Sequence, residues 1–405
     1  MKKLALLSLF AALVASPAAH AQTFSVIHTF TGVAGDGADP ESGVILGNGV
    51  LYGTTSLGGI GGPAYRAGTV YQMTHSGSDW FYTPIFFFPY DGSGGAFPGA
   101  RVVFGPDGHL YGTTTFGGTG GAGVVFSLTP PLSICKTLSC LWKETVVHNF
   151  LGGPVDGATP GSGDLVWDQM GNLYGTTGHG GSKDQGTAFQ MNPGTNTYSV
   201  IYNFKGAAGN DGSQPNGVIL DKSGSLYGTT YTGGVQGFGT VFELSHVNDW
   251  TETVLYSFTG VQAFPYAGLV ADSAGNLYDA TTGDGGGAIF ELSPSGDTWT
   301  FKVIFTFPGG GGGPSASLTM DAAGNLYGTT YNDGAHLYGN VFKLTNTPNG
   351  WVYTSLYDFT HGGDGGEPMS QVTIDADGTL YGTTSEGGND GCGGIGCGVV
   401  WMIKP

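Results

Sequence analysis

Apolar and polar residues alternate in short runs along almost the whole chain, and the runs keep one order. A complete unit reads Gly217–Asp221 (GVILD), Ser225–Thr230 (SLYGTT), Gly239–Leu244 (GTVFEL) and Glu252–Phe258 (ETVLYSF). All four are rich in Val, Ile, Tyr, Phe and Thr and are bounded by Gly, Asp, Asn or Pro, which predicts four short strands, here called A, B, C and D. Helical spacing of apolar residues is absent beyond the first stretch of the chain. The B run is the most regular. It reads LYGTT at Leu51–Thr55, Leu110–Thr114, Leu173–Thr177, Leu226–Thr230, Leu326–Thr330 and Leu380–Thr384, and LYDAT at Leu277–Thr281. Its tyrosines recur every 49 to 63 residues, a period that marks a repeat architecture.

The turns between A and B carry their own signature. Asp-x-x-Gly-Asn stands at Asp168–Asn172, Asp272–Asn276 and Asp321–Asn325, with variants at Asp221–Ser225 and Asp375–Thr379. An Asp that caps the turn, followed by a Gly free to take positive φ, predicts a hairpin. The spacing lacks the dense ladder of acids that a calcium loop needs, so these aspartates read as turn formers.

Strand D comes first. Phe24–Phe30 (FSVIHTF) has the D pattern and precedes the first A run, while the last run, Gly398–Ile403 (GVVWMI), is a C with no D after it. Seven strands of each kind, shifted by one, predict an all-β fold: a seven-bladed β-propeller with four antiparallel strands per blade. The N-terminal strand is expected to close the last blade by pairing with Val399–Ile403. An open solenoid would stack whole units instead.

The LYGTT–GG–GTVFEL pattern, over essentially the whole chain after the leader, resembles the GloVer tandem repeat of exported "choice-of-anchor" bacterial proteins. The resemblance implies a propeller-like repeat protein without a defined biochemical role. Members are named for varied C-terminal anchors, and this chain departs from them by ending four residues after Trp401. The Asp-x-x-Gly-Asn-Leu-Tyr core is also similar to NHL-type and streptogramin-lyase-type propellers, over that short span only.

The first 21 residues read as an export signal. Lys2 and Lys3 precede an apolar run from Leu4 to Ala15, too short to span a bilayer, and Ala19-His20-Ala21 is a small-x-small cleavage site. Residues 22–405 are then expected to form a single propeller domain, periplasmic or extracellular, with no membrane span. Against 30 acidic residues stand 12 Lys and Arg, a net charge of −18, and loss of Lys2 and Lys3 takes it to −20. Such a surface excludes nucleic acid as a partner, because phosphates are neutralised by Lys and Arg. The four cysteines form two local pairs, Cys135 with Cys140 and Cys392 with Cys397, and an oxidising compartment favours two small disulfide loops.

Residues repeated seven times are explained by the fold, so chemistry is sought where the repeats differ. The B–C and D–A connections emerge on one face of a propeller, and they are the long ones here, as in Ser56–Gly68 and Thr31–Ser42. The insertion Pro130–Trp142 is expected on the opposite face. Around the channel mouth the D–A connections bring Asp39, Glu41, Arg101, Asp164, Asn216, Tyr266, Glu367 and Gln371. His179 in a B–C loop is the one histidine placed for chemistry; His28 and His148 occupy an aromatic slot of strand D. Asp39, Glu41 and Glu367 belong to blades that become neighbours on closure, and calcium is the cofactor such carboxylates would suit. A solvated rim, with Arg101 and Asp164 as an ordinary ion pair, is the alternative weighed against it. The function expected is a binding or interaction module for an extracellular protein or glycan. Two others stay open: a lyase or lactonase-like hydrolase with a cation at the mouth, and a lectin with seven equivalent sugar pockets.

Overall fold

Each four-run unit forms one four-stranded antiparallel sheet, and seven such sheets complete the chain. The computed structural model describes residues 22–33, 35–59, 67–89, 91–131, 141–161, 163–246, 249–260, 262–283, 286–308 and 312–405. The leader and the Cys135/Cys140 pair lie outside them. Among the described residues the only helical elements are single 3-10 turns at Gly153–Val155, Ala207–Gly209 and Cys392–Gly394, and no helix is long and apolar enough to cross a membrane.

The ring closes through the N-terminal strand. Thr23–Thr29 pairs antiparallel with Val399–Lys404, placing Phe24 opposite Ile403 and Val26 opposite Trp401. It thereby becomes strand D of blade seven, beside Leu380–Thr384 and Thr373–Ile374. Neighbouring blades grip it on both sides. The Phe24 ring stacks on Tyr357 of blade six at 3.6 Å, and His28 stacks on Tyr82 of blade one at 4.1 Å.

Seven hydrophobic clusters lie between successive blades, each fed by both neighbours. Their common feature is the Phe that ends each D strand, packed edge-on against the C-strand aromatic of the following blade. Phe88 meets Phe126 at 5.1 Å, Phe150 meets Phe189 at 5.3 Å, and Phe30 closes the circle on Tyr71 at 5.4 Å. Each such buried ring stabilises the fold by roughly 1.5–3 kcal/mol relative to exposure. The LYGTT tyrosines serve the same interfaces: Tyr174 packs against Trp250 and Tyr278 against Trp351 of the following D strands.

The Gly of LYGTT answers to the C-strand ring. Gly175 pairs with Phe189, and a methyl at Gly175 would sit 2.6 Å from Phe189 Cζ. The two threonines also have fixed duties. The second bonds across the sheet, as Thr177 does to Thr187 at 2.8 Å; the first reaches a carbonyl of the following blade, as Thr229 does to Ala267. The turn aspartates act as expected. Asp272 Oδ1 accepts the backbone N–H groups of Ala274 and Asn276, and its Oδ2 accepts the Tyr278 hydroxyl.

Two features differ from the sequence expectation. The A strands pair over only two or three residues, for example Val103–Phe104 and Thr319–Met320, except in blade four, where Gly212–Leu220 pairs along its length. Nearer the axis the A segments crowd one another and bond sideways instead. Gln371 donates its amide to Leu318 O, and a methyl at Gly43 would lie 2.4 Å from Gln371 O. Second, every D strand carries a β-bulge at one aliphatic residue: Ile27, Ile85, Val147, Ile201, Leu255, Ile304 and Leu356. The bulge turns that side chain into the inter-blade cluster, and in five blades the ring after it (His28, His148, Tyr256, Phe305, Tyr357) stacks on the neighbouring blade.

Candidate functional site

A latch built from seven prolines positions the mouth. Pro40, Pro98, Pro160, Pro215, Pro265, Pro314 and Pro368 each open a D–A connection onto the next blade. The residue before each proline, Asp39, Phe97, Thr159, Gln214, Phe264, Gly313 or Glu367, has φ between 52° and 60°. Apart from Gly313 these side chains pay a steric penalty in that region, and the hydrogen bonds explain why they hold it. Phe97 N–H donates to Ala67 O of the preceding blade, and Phe97 O accepts Thr115 N–H of its own blade. Asp39 does the same with Cys397 O and Ser56 N–H. The proline ring then lies on the glycine that starts the preceding C strand. That glycine has positive φ, and a methyl at Gly123 would sit 2.7 Å from Pro160 Cδ.

The latch repeats seven times, but the residues it presents do not. They surround a cavity of about 570 Å³ whose lining includes Glu41, Arg101, Asp164, Asn216, Tyr266, Gln371 and His179 from the expected set. Thr115, Phe116 and Tyr231 from B–C connections line it too, which puts both kinds of connection on one face. A side lobe of about 280 Å³ lies between blades one and two, walled by Asp39, Glu41, Ser56, Leu57, Phe97, Thr115 and Phe116. Ser315 and Ser317 of blade six, and Phe97, Phe116 and Tyr231, were not singled out in the sequence. The constant offset from the seven prolines is the signal that would have found the first three.

Individual roles differ. Arg101 is held by Asp164: Nε donates to Asp164 Oδ2 at 2.8 Å, Nη2 donates to the same oxygen, and the Arg101 backbone N–H donates to Oδ1. Asn216 is buried and ties its amide to Thr229 Oγ1 and Pro265 O, so it holds the ring together. Gln371 is committed to Leu318 O. His179 is exposed at the rim, where its carbonyl accepts the Thr177 hydroxyl. His28 and His148 sit in the stacked aromatic layer of the D strands, each beside an aspartate, Asp36 and Asp156.

The carboxylates gather at the seam between blades seven and one without forming a cage. Glu41 has no side-chain hydrogen bond or ion pair among the described residues. Burial, reinforced by the charge of Asp39, raises its pKa to about 7. Asp39 is pushed up by burial and by Glu386, against the hydroxyl of Ser56, which donates at 3.1 Å. Glu367 faces Tyr331 instead and pushes that phenol upward. Glu386 lies 2.9 Å from His361 Nε2. Among the described residues no three His, Cys, Asp or Glu side chains are arranged to hold a metal ion. Asp39 and Glu367 each precede a latch proline on successive blades, and both carboxylates act on the Tyr331 phenol.

At the opposite edge of the same connections, Cys392 and Cys397 form a disulfide. Its sulfur atoms pack over Gly32, and Asn389 Nδ2 donates to Phe30 O, so the loop clasps the chain where the N-terminal strand enters blade one.

Comparison with solved structures returns likenesses at low identity. A candidate 6-phosphogluconolactonase from Bacteroides uniformis aligns with a TM-score of 0.50 at 14% identity, over 78% of this chain and 83% of that one. A candidate oxidoreductase (glucose dehydrogenase) from Thermus thermophilus aligns at 0.45 and 15% identity, over 94% and 99%. At such identities the first likeness is one of fold alone. No curated protein matches the sequence. The profile of the Gloeobacter/Verrucomicrobia repeat, in contrast, matches residues 14–209, 137–286 and 262–397. Those three overlapping matches take in nearly the whole ring, and the chain belongs to the Gloeobacter/Verrucomicrobia repeat family.

Proposed function

We propose that the protein is an exported binding module that takes a small polar ligand in the mouth cavity. One observation carries this. Seven equivalent latches present seven unlike sets of side chains around one cavity, whose volume falls in the range of ~300–1,000 Å³ common for ligand sites. The aromatics repeated in every blade are buried in interfaces, so seven equivalent surface pockets are the weaker alternative. Export is supported by the repeat family and by the Cys392–Cys397 disulfide.

The test is a thermal-shift screen of small polar compounds on the wild type and on Ser315→Trp, which places an indole in the cavity. A ligand of the mouth at one hundred times its Kd stabilises the wild type by about 2.7 kcal/mol and leaves the variant unshifted. Ligands that shift both proteins equally would refute the mouth as the site.

A further inference from the structure

The side lobe has a composition that the central cavity lacks. Phe97 and Phe116 stand edge to face, 6.0 Å apart, and are 39% and 49% exposed, so each offers ring surface to a ligand. The rest of its lining is Asp39 and Glu41 with their carboxyl groups, the hydroxyl residues Ser56 and Thr115, and the aliphatic Leu57. Among the described residues no Lys or Arg lines the lobe, and the guanidinium of Arg101 in the adjoining cavity is paired with Asp164. The net charge of −18 opposes polyanions.

We propose that this lobe, opening into the mouth cavity, binds a neutral saccharide, with one pyranose ring against Phe97 or Phe116 and its hydroxyls bonded to Asp39 and Glu41. A pyranose has one face of C–H groups and a rim of hydroxyls, which matches a lobe lined by aromatic rings and by carboxyl and hydroxyl groups. Hydroxyls both donate and accept. Glu41, without a partner among the described residues and with its pKa raised to about 7 by burial and Asp39, does both as well, whereas a fixed cation would need Asp39 and Glu41 fully ionised. The lobe is concave and shares Glu41, Thr115 and Phe116 with the central cavity, so a chain of sugars can continue from one into the other. A protein partner would need a broad exposed patch rather than a recess.

The inference rests on the mouth as the binding site and is tested separately from it. The full mature protein is applied to an array of neutral cello-, xylo-, manno- and malto-oligosaccharides, with amino-sugar and uronic-acid oligomers alongside. Hits are titrated by calorimetry. Neutral oligosaccharides are expected to bind. Phe116→Ala and Glu41→Ala should each weaken binding by about tenfold or more, Glu41→Gln by no more than about threefold, and Met170→Ala on the opposite turn not at all. Unchanged thermal unfolding of each variant excludes misfolding as the cause. No neutral hit, or binding confined to amino sugars with Glu41→Gln as damaging as Glu41→Ala, overturns the saccharide. A compound of another class whose shift is lost in Ser315→Trp also overturns it while leaving the mouth intact.

Discussion

At the scale of single residues the seven repeats serve as internal controls for one another. The glycine of LYGTT is fixed by the ring lying over it, so Gly175→Ala should destabilise by about 1–3 kcal/mol through overpacking against Phe189 and Leu165. Ala ordinarily improves on Gly in a strand, and a gain in the urea midpoint would show that the close approach is not real. Blade five breaks the rule with Asp279, fully buried opposite Phe290. Its Oδ1 accepts the Ala280 N–H at 2.7 Å, and Oδ2 has no partner among the described residues. Burial pushes its pKa well above the usual carboxylate range. A carboxyl raised on folding contributes its full stability below the unfolded value of about 3.9, and that contribution is lost as pH rises toward the folded pKa. Asp279→Asn should therefore match the wild type near pH 4 and exceed it increasingly toward pH 9, read as melting temperature against pH. A constant difference would mean that Asp279 is solvated. LYDAT marks this site in the sequence, but burial without a partner is a property of the packed interface and is legible only there.

At the scale of elements, strand order and count were readable because each strand carries its own motif: LYGTT for B, GTVFEL for C, the aromatic run ending in Phe for D. The bulges were not. An aliphatic such as Ile201 or Leu255 inside a D run looks like one more core residue until its register against strand C is known. The short A strands were missed for a related reason, since hydrophobic pattern does not report which carbonyls a neighbouring blade captures. The latch was hidden by its variable first residue; the proline alone recurs. At the seam the Cys392–Cys397 loop packs over Gly32. Replacing both cysteines by serine should lower stability by roughly 2 kcal/mol in the chain-entropy picture. The amides of Phe30 to Gly32 should also exchange faster with solvent. An unchanged melting curve would show that the loop clasps nothing.

At the scale of the whole molecule, closure makes the first strand as important as any other. Phe30 is wholly buried at the junction of blades seven and one, as Phe150 is between blades two and three. Phe30→Ala and Phe150→Ala should cost similar amounts, about 3–5 kcal/mol each. A silent Phe30→Ala would leave the ring open. The face where repeats diverge was legible, and Glu41, Tyr266 and His179 line the cavity on it. Which groups stay free was not, because Arg101, Asn216 and Gln371 are drawn into bonds to Asp164, Pro265 and Leu318 of neighbouring blades that only the assembled ring creates. The central claim is that seven like blades build the ring and the unlike D–A connections bind. Hydrogen–deuterium exchange of the protein with and without a ligand from the thermal-shift screen tests it most directly. The account predicts added protection in segments 39–43, 97–101, 264–268 and 367–371 and none in the A–B turns. Protection confined to the A–B turns or the outer D strands would contradict it.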